Sequence, residues 1–186
     1  MQEITDDILT KASQGDVGCF KEIYKAAGGF VYNVAFRVVG SKEDAEEVTQ
    51  EVFLTLHRKL KEFRFQSSFK TWVYRITVNH AINYAKKAKK DRHNAVEYDE
   101  NLNAVPVAAQ ARADMEQKEK EHLVKTLLSN LNPDQRACVV LRNIEGLSYQ
   151  EIAASLGINI NTVRSRLKRA REALMTFGKE VVNHEL

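Results

Sequence analysis

The amino-acid sequence predicts an all-α fold made of two small helical domains joined by a flexible linker. Only two prolines and eight glycines occur in 186 residues, which leaves few of the turn signals that an all-β chain needs. Apolar residues recur mostly every three or four positions, the spacing of helices that bury one face. The composition, 44% hydrophobic and 28% charged, is that of a soluble globular protein, so neither disorder nor a fibrous repeat is expected.

Helix start and stop signals place the first domain at 1–92, the linker at 93–114 and the second domain at 115–180. Three polar segments that begin at Ser41, Asn132 and Ser148 are typical helix caps. The predicted helices run over 5–14, 16–39, 41–61, 68–90, 115–129, 132–146, 148–157 and 159–177. A kink or break is expected at Gly28-Gly29 within the second helix, because consecutive glycines weaken a helix.

Several classes of protein do not fit this sequence. The two cysteines, Cys19 and Cys138, lie far apart, which excludes a disulfide scaffold or a cysteine-rich zinc site and fits a reducing cytoplasm. Both have apolar neighbours, so we expect buried thiols. No apolar run approaches the roughly 20 residues that span a bilayer, and the N-terminus lacks the basic-then-apolar order of a secretory signal. We expect a cytoplasmic protein without metal, cofactor or membrane insertion.

Charge is unevenly distributed along the chain, although the net charge is only +3. Five acids and no base lie between Glu43 and Glu51. Five bases lie between Lys86 and Arg92, and five more between Arg164 and Arg171. This distribution predicts one contact with a basic partner and two with a polyanion. For any single run taken alone, a solvated helix face is the better interpretation.

Residues 147–174 read as a helix-turn-helix, in which a short capped helix precedes a longer basic one. One stripe of the second helix is apolar and can pack on the first: Val163, Leu167, Ala170 and Leu174. The opposite face carries side chains suited to base edges and phosphates in a major groove: Asn161, Arg164, Ser165, Lys168 and Arg169. Because no acid follows until Glu172, the pattern favours a duplex DNA reader over a plain solvated face.

The helix predicted at 68–90 carries two neighbouring stripes. The stripe expected to face the core consists of Phe69, Val73, Ile76, His80 and Tyr84. The other combines an indole with amides and cations: Trp72, Arg75, Asn79, Asn83, Lys86 and Lys90. The preceding loop adds Phe63, Arg64, Phe65 and Gln66. Rings stack on unpaired bases, amides bond base edges and cations hold phosphates, so these residues suit a melted strand. The alternative is that the aromatic rings belong to the core and Asn79 faces solvent.

The helix predicted at 41–61 is acidic on one face. Glu43, Glu47 and Glu51 repeat every fourth residue, with Gln50 beside them. Acids on one face can serve solubility alone. In a protein with two DNA-facing patches they are better explained by docking on a basic protein, because they would repel DNA.

Over residues 8–178 the chain resembles a bacterial extracytoplasmic-function sigma factor, a small promoter-specificity subunit of RNA polymerase. The matching stretches are Asp44–Phe53 (DAEEVTQEVF), Phe69–Asn79 (FKTWVYRITVN), Gly146–Ala153 (GLSYQEIA) and Gly157 through Thr162–Leu167 (TVRSRL). The resemblance implies an alternative sigma factor that binds the polymerase core and directs promoter-specific transcription initiation. It implies no catalytic residue, since the polymerase makes the RNA.

Site roles follow from that resemblance. The acidic helix would bind the clamp helices of the largest polymerase subunit through Asp44, Glu47, Gln50 and Glu51. The second-largest subunit is an implied partner too. The minus-ten element would be captured by Phe63, Arg64, Phe65, Trp72, Arg75, Asn79, Asn83 and Lys86. The minus-thirty-five element would be read by Asn161, Arg164, Ser165, Lys168 and Arg169. Family members are commonly inhibited by a cognate anti-sigma factor, often membrane-anchored or zinc-containing, so such a partner is expected.

Two other classes of function are alternatives for this sequence. A stand-alone helix-turn-helix regulator accounts for residues 115–180 but not for the acidic helix or the Trp72–Asn83 stripe. A metal-dependent hydrolase using Glu43, Glu47 and His57 lacks a histidine pair at ligand spacing, a glycine-rich phosphate loop and a nucleophile motif.

Overall fold

The computed structural model describes residues 4–94 and 123–184, and within these ranges every regular element is helical. The elements are α1 (Asp6–Ser13), α2 (Val17–Val39), α3 (Lys42–Lys59), a 3₁₀ turn (Leu60–Glu62), α4 (Phe69–Asn94), α5 (over 123–129), α6 (Pro133–Val139) continuing as a π-helix (Val140–Ile144), α7 (Tyr149–Leu156) and α8 (Ile160–His184). The all-α prediction is confirmed. Below, α1–α4 are called the N-terminal half and α5–α8 the C-terminal half.

Polar caps start the helices where the sequence places them. Asn132 and Ser148 form full capping boxes at α6 and α7, each accepting a backbone N–H while the residue three positions later bonds back. Ser41 accepts the N–H of Asp44 at 3.2 Å but donates to Glu43, so its box is not reciprocal. Ser68 caps α4 by accepting the N–H of Thr71 at 3.1 Å.

The break predicted at Gly28-Gly29 is wrong, because α2 runs without interruption from Val17 to Val39. Ala27 and Val31, on either side of the glycines, are fully buried. The packing of α2 against α3 and α4 therefore outweighs a penalty of about 1 kcal/mol per glycine.

Two other boundaries differ from the prediction. Helix α4 continues through Asn94, so the first two residues of the linker expected at 93–114 are helical. The rest of that linker, and residues 115–122 of the next predicted helix, lie outside the described residues. Helix α8 continues past 177 to His184.

The two cysteines differ in burial. Cys138 is buried, as expected, and burial raises the pKa of its thiol, whereas Cys19 is half-buried.

One hydrophobic core extends through both halves. Ile23, Val52 and Val73 of the N-terminal half share it with Leu141 and Ile152 of the C-terminal half, and all five are fully buried. A smaller cluster joins α5, the π-helix and α8 within the C-terminal half: Leu128, Leu131, Val140 and Ala170. Helix α4 is therefore central, with α2 and α3 packed on one side and α6 and α7 on the other.

Candidate nucleic-acid interface

Helix α8 presents the predicted basic face to solvent. All five residues proposed for it are exposed: Asn161, Arg164, Ser165, Lys168 and Arg169. Gly157 ends α7 in the left-handed region, at φ 64°, where glycine is favoured because it has no Cβ. The Asn159 side chain then accepts the N–H of Asn161 at 2.8 Å and starts α8. The helix-turn-helix is therefore set by local sequence.

The apolar stripe of α8 divides between two cores. Val163 and Leu167 are buried in the main core, which also contains Ile152 of α7. Ala170 and Leu174 pack instead in the smaller cluster with α5 and the π-helix. Because both ends of the stripe are anchored, the opposite basic face is held in one orientation.

The loop before α4 combines a half-buried ring with an exposed ring. Phe63 is the centre of an aromatic cluster, with ring centroids 4.8 Å from Phe65, 5.7 Å from Phe69 and 5.1 Å from Trp72. The Phe65 ring is 50% exposed, and its backbone adopts φ 55°. A left-handed conformation costs a non-glycine residue about 1–2 kcal/mol and is concentrated at functional sites. The most strained residue of the loop thus carries its most exposed ring.

The polar stripe of α4 is only partly open. Arg75, Asn83 and Lys86 are exposed, whereas Trp72 and Asn79 are half-buried. The Asn79 side-chain amide donates to the backbone oxygen of Ser155, near the end of α7, at 3.4 Å. The solvent-facing alternative for Asn79 is therefore wrong in this conformation, because the C-terminal half covers it.

The predicted core stripe of α4 needs a correction. Phe69 and Val73 are buried as expected, but Ile76, His80 and Tyr84 are only half-buried. The residues that are buried instead include Tyr74, Thr77, Val78, Ala81 and Ile82. The cause is packing from two sides, which an amphipathic pattern with a single buried face does not represent.

The acidic face of α3 is open to solvent. Glu47, Gln50 and Glu51 are exposed, and Asp44 is half-buried. Leu54, one turn after Gln50, is 56% exposed on the same face. Sequence reasoning missed Leu54, although its spacing from Gln50 and Glu51 was a usable signal. An exposed leucine among acids suits a protein partner better than a role in solubility alone.

Tyr84 of α4 connects to this acidic face. Its hydroxyl lies 2.8 Å from Glu47 Oε2 and 3.1 Å from Asp44 Oδ1, so one phenol proton serves two carboxylates. The hydrogen bond to Glu47 is the main reason that the pKa of Tyr84 is raised. Tyr84 was predicted to face the core, but its hydroxyl bonds α3 instead. No pattern in the sequence pairs it with that helix.

Direct polar contacts join the two halves. Glu145, just after the π-helix, accepts from the Tyr74 hydroxyl and, at 3.1 Å, from Arg37. Burial and this carboxylate raise the pKa of Tyr74. Asp134 lies 2.8 Å from Lys86 Nζ of α4 and 3.0 Å from an Arg166 nitrogen of α8. One acid thus connects the polar stripe of α4 to α8, through an arginine that lies outside the predicted reading set.

Within the residues that the structure describes, no group of three or more histidine, cysteine or acidic side chains could hold a metal ion. Over the same residues, no helix combines the length and apolarity needed to cross a bilayer.

Comparison with known proteins identifies both halves. A family model described as Sigma-70 region 2 matches residues 23–91, and one described as Sigma-70, region 4 matches residues 121–174. The ECF RNA polymerase sigma-E factor of Escherichia coli K12 is 34% identical over 180 residues, which cover 93% of this chain and 94% of that relative. The ECF RNA polymerase sigma factor SigE of Mycolicibacterium smegmatis is 32% identical over 88% of this chain, and the match spans 63% of that relative.

A solved structure shares the fold. The sigma factor RpoE in complex with the anti-sigma factor NepR from Bartonella quintana aligns with a TM-score of 0.63 and 24% identity, covering 88% of this chain and 98% of that one. The two regions, in this order along the chain, define a protein of the sigma-70 class. The chain belongs to the family of extracytoplasmic-function (ECF) RNA polymerase sigma factors.

Proposed function

We propose that three faces of this alternative sigma factor divide the work of promoter-specific transcription initiation. Helix α3 docks on the polymerase core, the 63–66 loop with α4 captures the unpaired minus-ten strand, and α8 reads the minus-thirty-five duplex. The observation that carries the proposal is the exposed face of α8, on which five side chains suited to base edges and phosphates share one surface and the first acid, Glu172, follows one turn after Lys168.

The mechanism we propose is split recognition. The α8 face binds paired DNA, and its phosphate contacts fix register and make affinity depend on salt. The α4 surface then holds an extruded base, which offsets the few kcal/mol needed to unstack it. Asn79 and Asn83 supply amides for the base edge, and Phe65 supplies an exposed ring for stacking. The polymerase supplies all bond making, so no residue of this chain acts as a catalyst.

The two halves serve as separate units in this proposal. Units at 1–92 and 115–180, joined through 93–114, are supported by two separate family matches, over residues 23–91 and 121–174. Linking two DNA contacts in one chain raises the effective concentration of the second once the first has formed. Promoter affinity then exceeds that of either unit alone.

The docking partner of α3 is the core polymerase, namely the clamp helices of its largest subunit, with further contacts to the second-largest subunit. The exposed acids and Leu54 fit a basic surface that has an apolar centre. We also infer that the protein acts in the cytoplasm and is regulated by an anti-sigma factor. The similar sigma factor from Bartonella quintana is described in complex with an anti-sigma factor, which supports a partner of that kind here.

The test is a promoter gel shift with and without purified core polymerase. We expect the chain to retain a promoter fragment in a heparin-resistant complex only when core is present. Lys21 is exposed on α2 and lies outside both basic runs, so Lys21→Ala is the control for Arg169→Ala in the same assay. Tight, sequence-specific binding by the chain alone would instead identify a stand-alone regulator and contradict the proposal.

A further inference from the structure

Helix α2 contains two consecutive glycines that neither its backbone nor its packing requires. Gly28 and Gly29 lie inside an unbroken helix, which glycine weakens relative to alanine. A Cβ added at Gly29 would meet no neighbouring group within 4 Å, and one added at Gly28 would only touch the Tyr24 ring, at 4.0 Å. Since the fold leaves room for a side chain at Gly29, this glycine fits a place where a ligand approaches the helix backbone closely.

Gly29 lines a cleft of about 440 Å³ between α2 and the end of the π-helix. The α2 part of its wall is partly apolar, because it includes Ala26 and the half-buried ring of Phe30. Volumes of roughly 300–1,000 Å³ are typical of small-molecule sites. The missing side chain at position 29 therefore leaves open a space of the size that a small ligand needs.

The rim of this cleft carries more positive than negative charge. Lys25 and Arg37 of α2 line it together with Glu145, and Arg37 is paired with Glu145 at 3.1 Å. Lys70 of α4 adds a cation 5.8 Å from the centre of the Phe30 ring. Among the ion pairs of the described residues, Lys25 and Lys70 have no acidic partner. The surplus of positive charge favours an anionic ligand.

Glu145 distinguishes a bare phosphate from a larger ligand. Its carboxylate would repel a phosphate beside it but can accept a hydroxyl, as an acid does from ribose in dinucleotide sites. Hydrogen bonds from Tyr74 and Arg37 hold it in place, and a carboxylate has further acceptor sites for a ligand. An apolar wall, an oriented acid and nearby lysines suit the base, the ribose and the phosphates of one ribonucleotide.

We propose that this cleft binds a free ribonucleoside triphosphate. The base lies against Gly29 and Phe30, a ribose hydroxyl donates to Glu145, and the phosphates are held by Lys25 and Lys70. The proposal does not depend on the roles given to α3, α4 and α8 in promoter recognition. Because the ligand binds only the folded chain, it raises the midpoint of thermal unfolding as its concentration increases.

The first experiment separates helix stability from ligand binding by thermal unfolding of the full chain with and without ATP. Gly29→Leu should raise the midpoint without ATP by about 2–4 °C, because leucine favours a helix over glycine. The same variant should lose the increase caused by ATP, since its side chain occupies the cleft. Gly178→Leu is the matched control, as Gly178 is also helical, exposed and open around its Cβ. It should keep the increase caused by ATP.

The second experiment measures affinity for ATP and CTP by titration calorimetry. Lys25→Gln should weaken binding about tenfold, the value of one charge-assisted hydrogen bond. Lys21→Gln, one turn earlier on α2 and exposed, should leave it unchanged. Removing the 2′-hydroxyl of ATP should weaken binding about threefold to tenfold if Glu145 accepts from the ribose.

Three results would overturn the proposal. One is that neither ATP nor CTP binds in a manner that depends on Gly29 and Lys25. Another is that inorganic tripolyphosphate binds as tightly as ATP, which would show a site for a bare anion. The third is that single-stranded minus-ten DNA displaces ATP with the same dependence on Gly29 and Lys25, which would assign the cleft to the promoter strand. Promoter binding with core polymerase is measured separately, so either proposal can fail while the other stands.

Discussion

The acidic face of α3 and the amide-rich stripe of α4 belong to the same half of the protein, yet one is open and the other is covered. Glu47, Gln50 and Glu51 are exposed, with Glu47 bonded to Tyr84, whereas Asn79 is half-buried and bonded to α7. In the proposed function, the α3 face can therefore dock on core polymerase in this conformation, whereas Asn79 can bond a base only after its contact with α7 is lost.

Reversing one charge on the acidic face of α3 should weaken docking on core polymerase. Glu51→Lys places a cation among the acids proposed to meet a basic partner, so core affinity should fall by about tenfold or more through like-charge repulsion. Fluorescence anisotropy of labelled chain titrated with core polymerase measures this. Glu22→Lys, on exposed α2, should change affinity far less. Equal losses in both variants would mean that the α3 face has no special role.

The amide-rich stripe of α4 should affect promoter melting rather than docking on the polymerase. Asn79→Ala removes the amide proposed for the extruded base, so open-complex formation should fall by about tenfold, within the range seen when one base contact is lost. Permanganate footprinting of the minus-ten thymines measures it, and duplex binding should change much less. Asn33→Ala, at an exposed site of α2, is the control. Normal melting by Asn79→Ala would remove this residue from the site.

The basic face of α8 is as exposed as the acidic face of α3 and is the face proposed to read duplex DNA. Arg169→Ala should weaken promoter use about fivefold or more, even on a template already melted at the minus-ten element. Run-off transcription at low and high salt checks both the loss and its electrostatic origin. Unchanged transcription from the native upstream element, with Lys21→Ala as reference, would contradict the assignment.

The smallest expected effect is at Tyr84, which connects α4 to the acidic face of α3. Tyr84→Phe removes the hydroxyl that serves Asp44 and Glu47, and should weaken core binding about threefold, the value of one modest hydrogen bond. Because the hydroxyl acts through Glu47, a double variant with Glu47→Gln should lose little more than Glu47→Gln alone. Fully additive losses would show that Tyr84 acts only through general stability.

The comparison also shows what the sequence could reveal. The α7–turn–α8 unit and its exposed reading face depend on caps and on Gly157, which are local signals, and they were predicted position by position. The π-helix at Val140–Ile144, the unbroken α2 and the buried residues of α4 depend on packing between elements distant in sequence. The same holds for Tyr84 and Asp134, whose partners lie 32 to 48 positions away. Periodicity within one helix carries no information about such pairs.

The most direct test of the central claim, that this chain gives core polymerase its choice of start sites, is transcription of genomic DNA by purified core with and without the chain. Sequencing the 5′ ends of the RNA products is the readout. The account predicts clusters of chain-dependent start sites that share two upstream elements and lose intensity with Asn79→Ala and Arg169→Ala. Transcripts whose start sites are the same with and without the chain would contradict it.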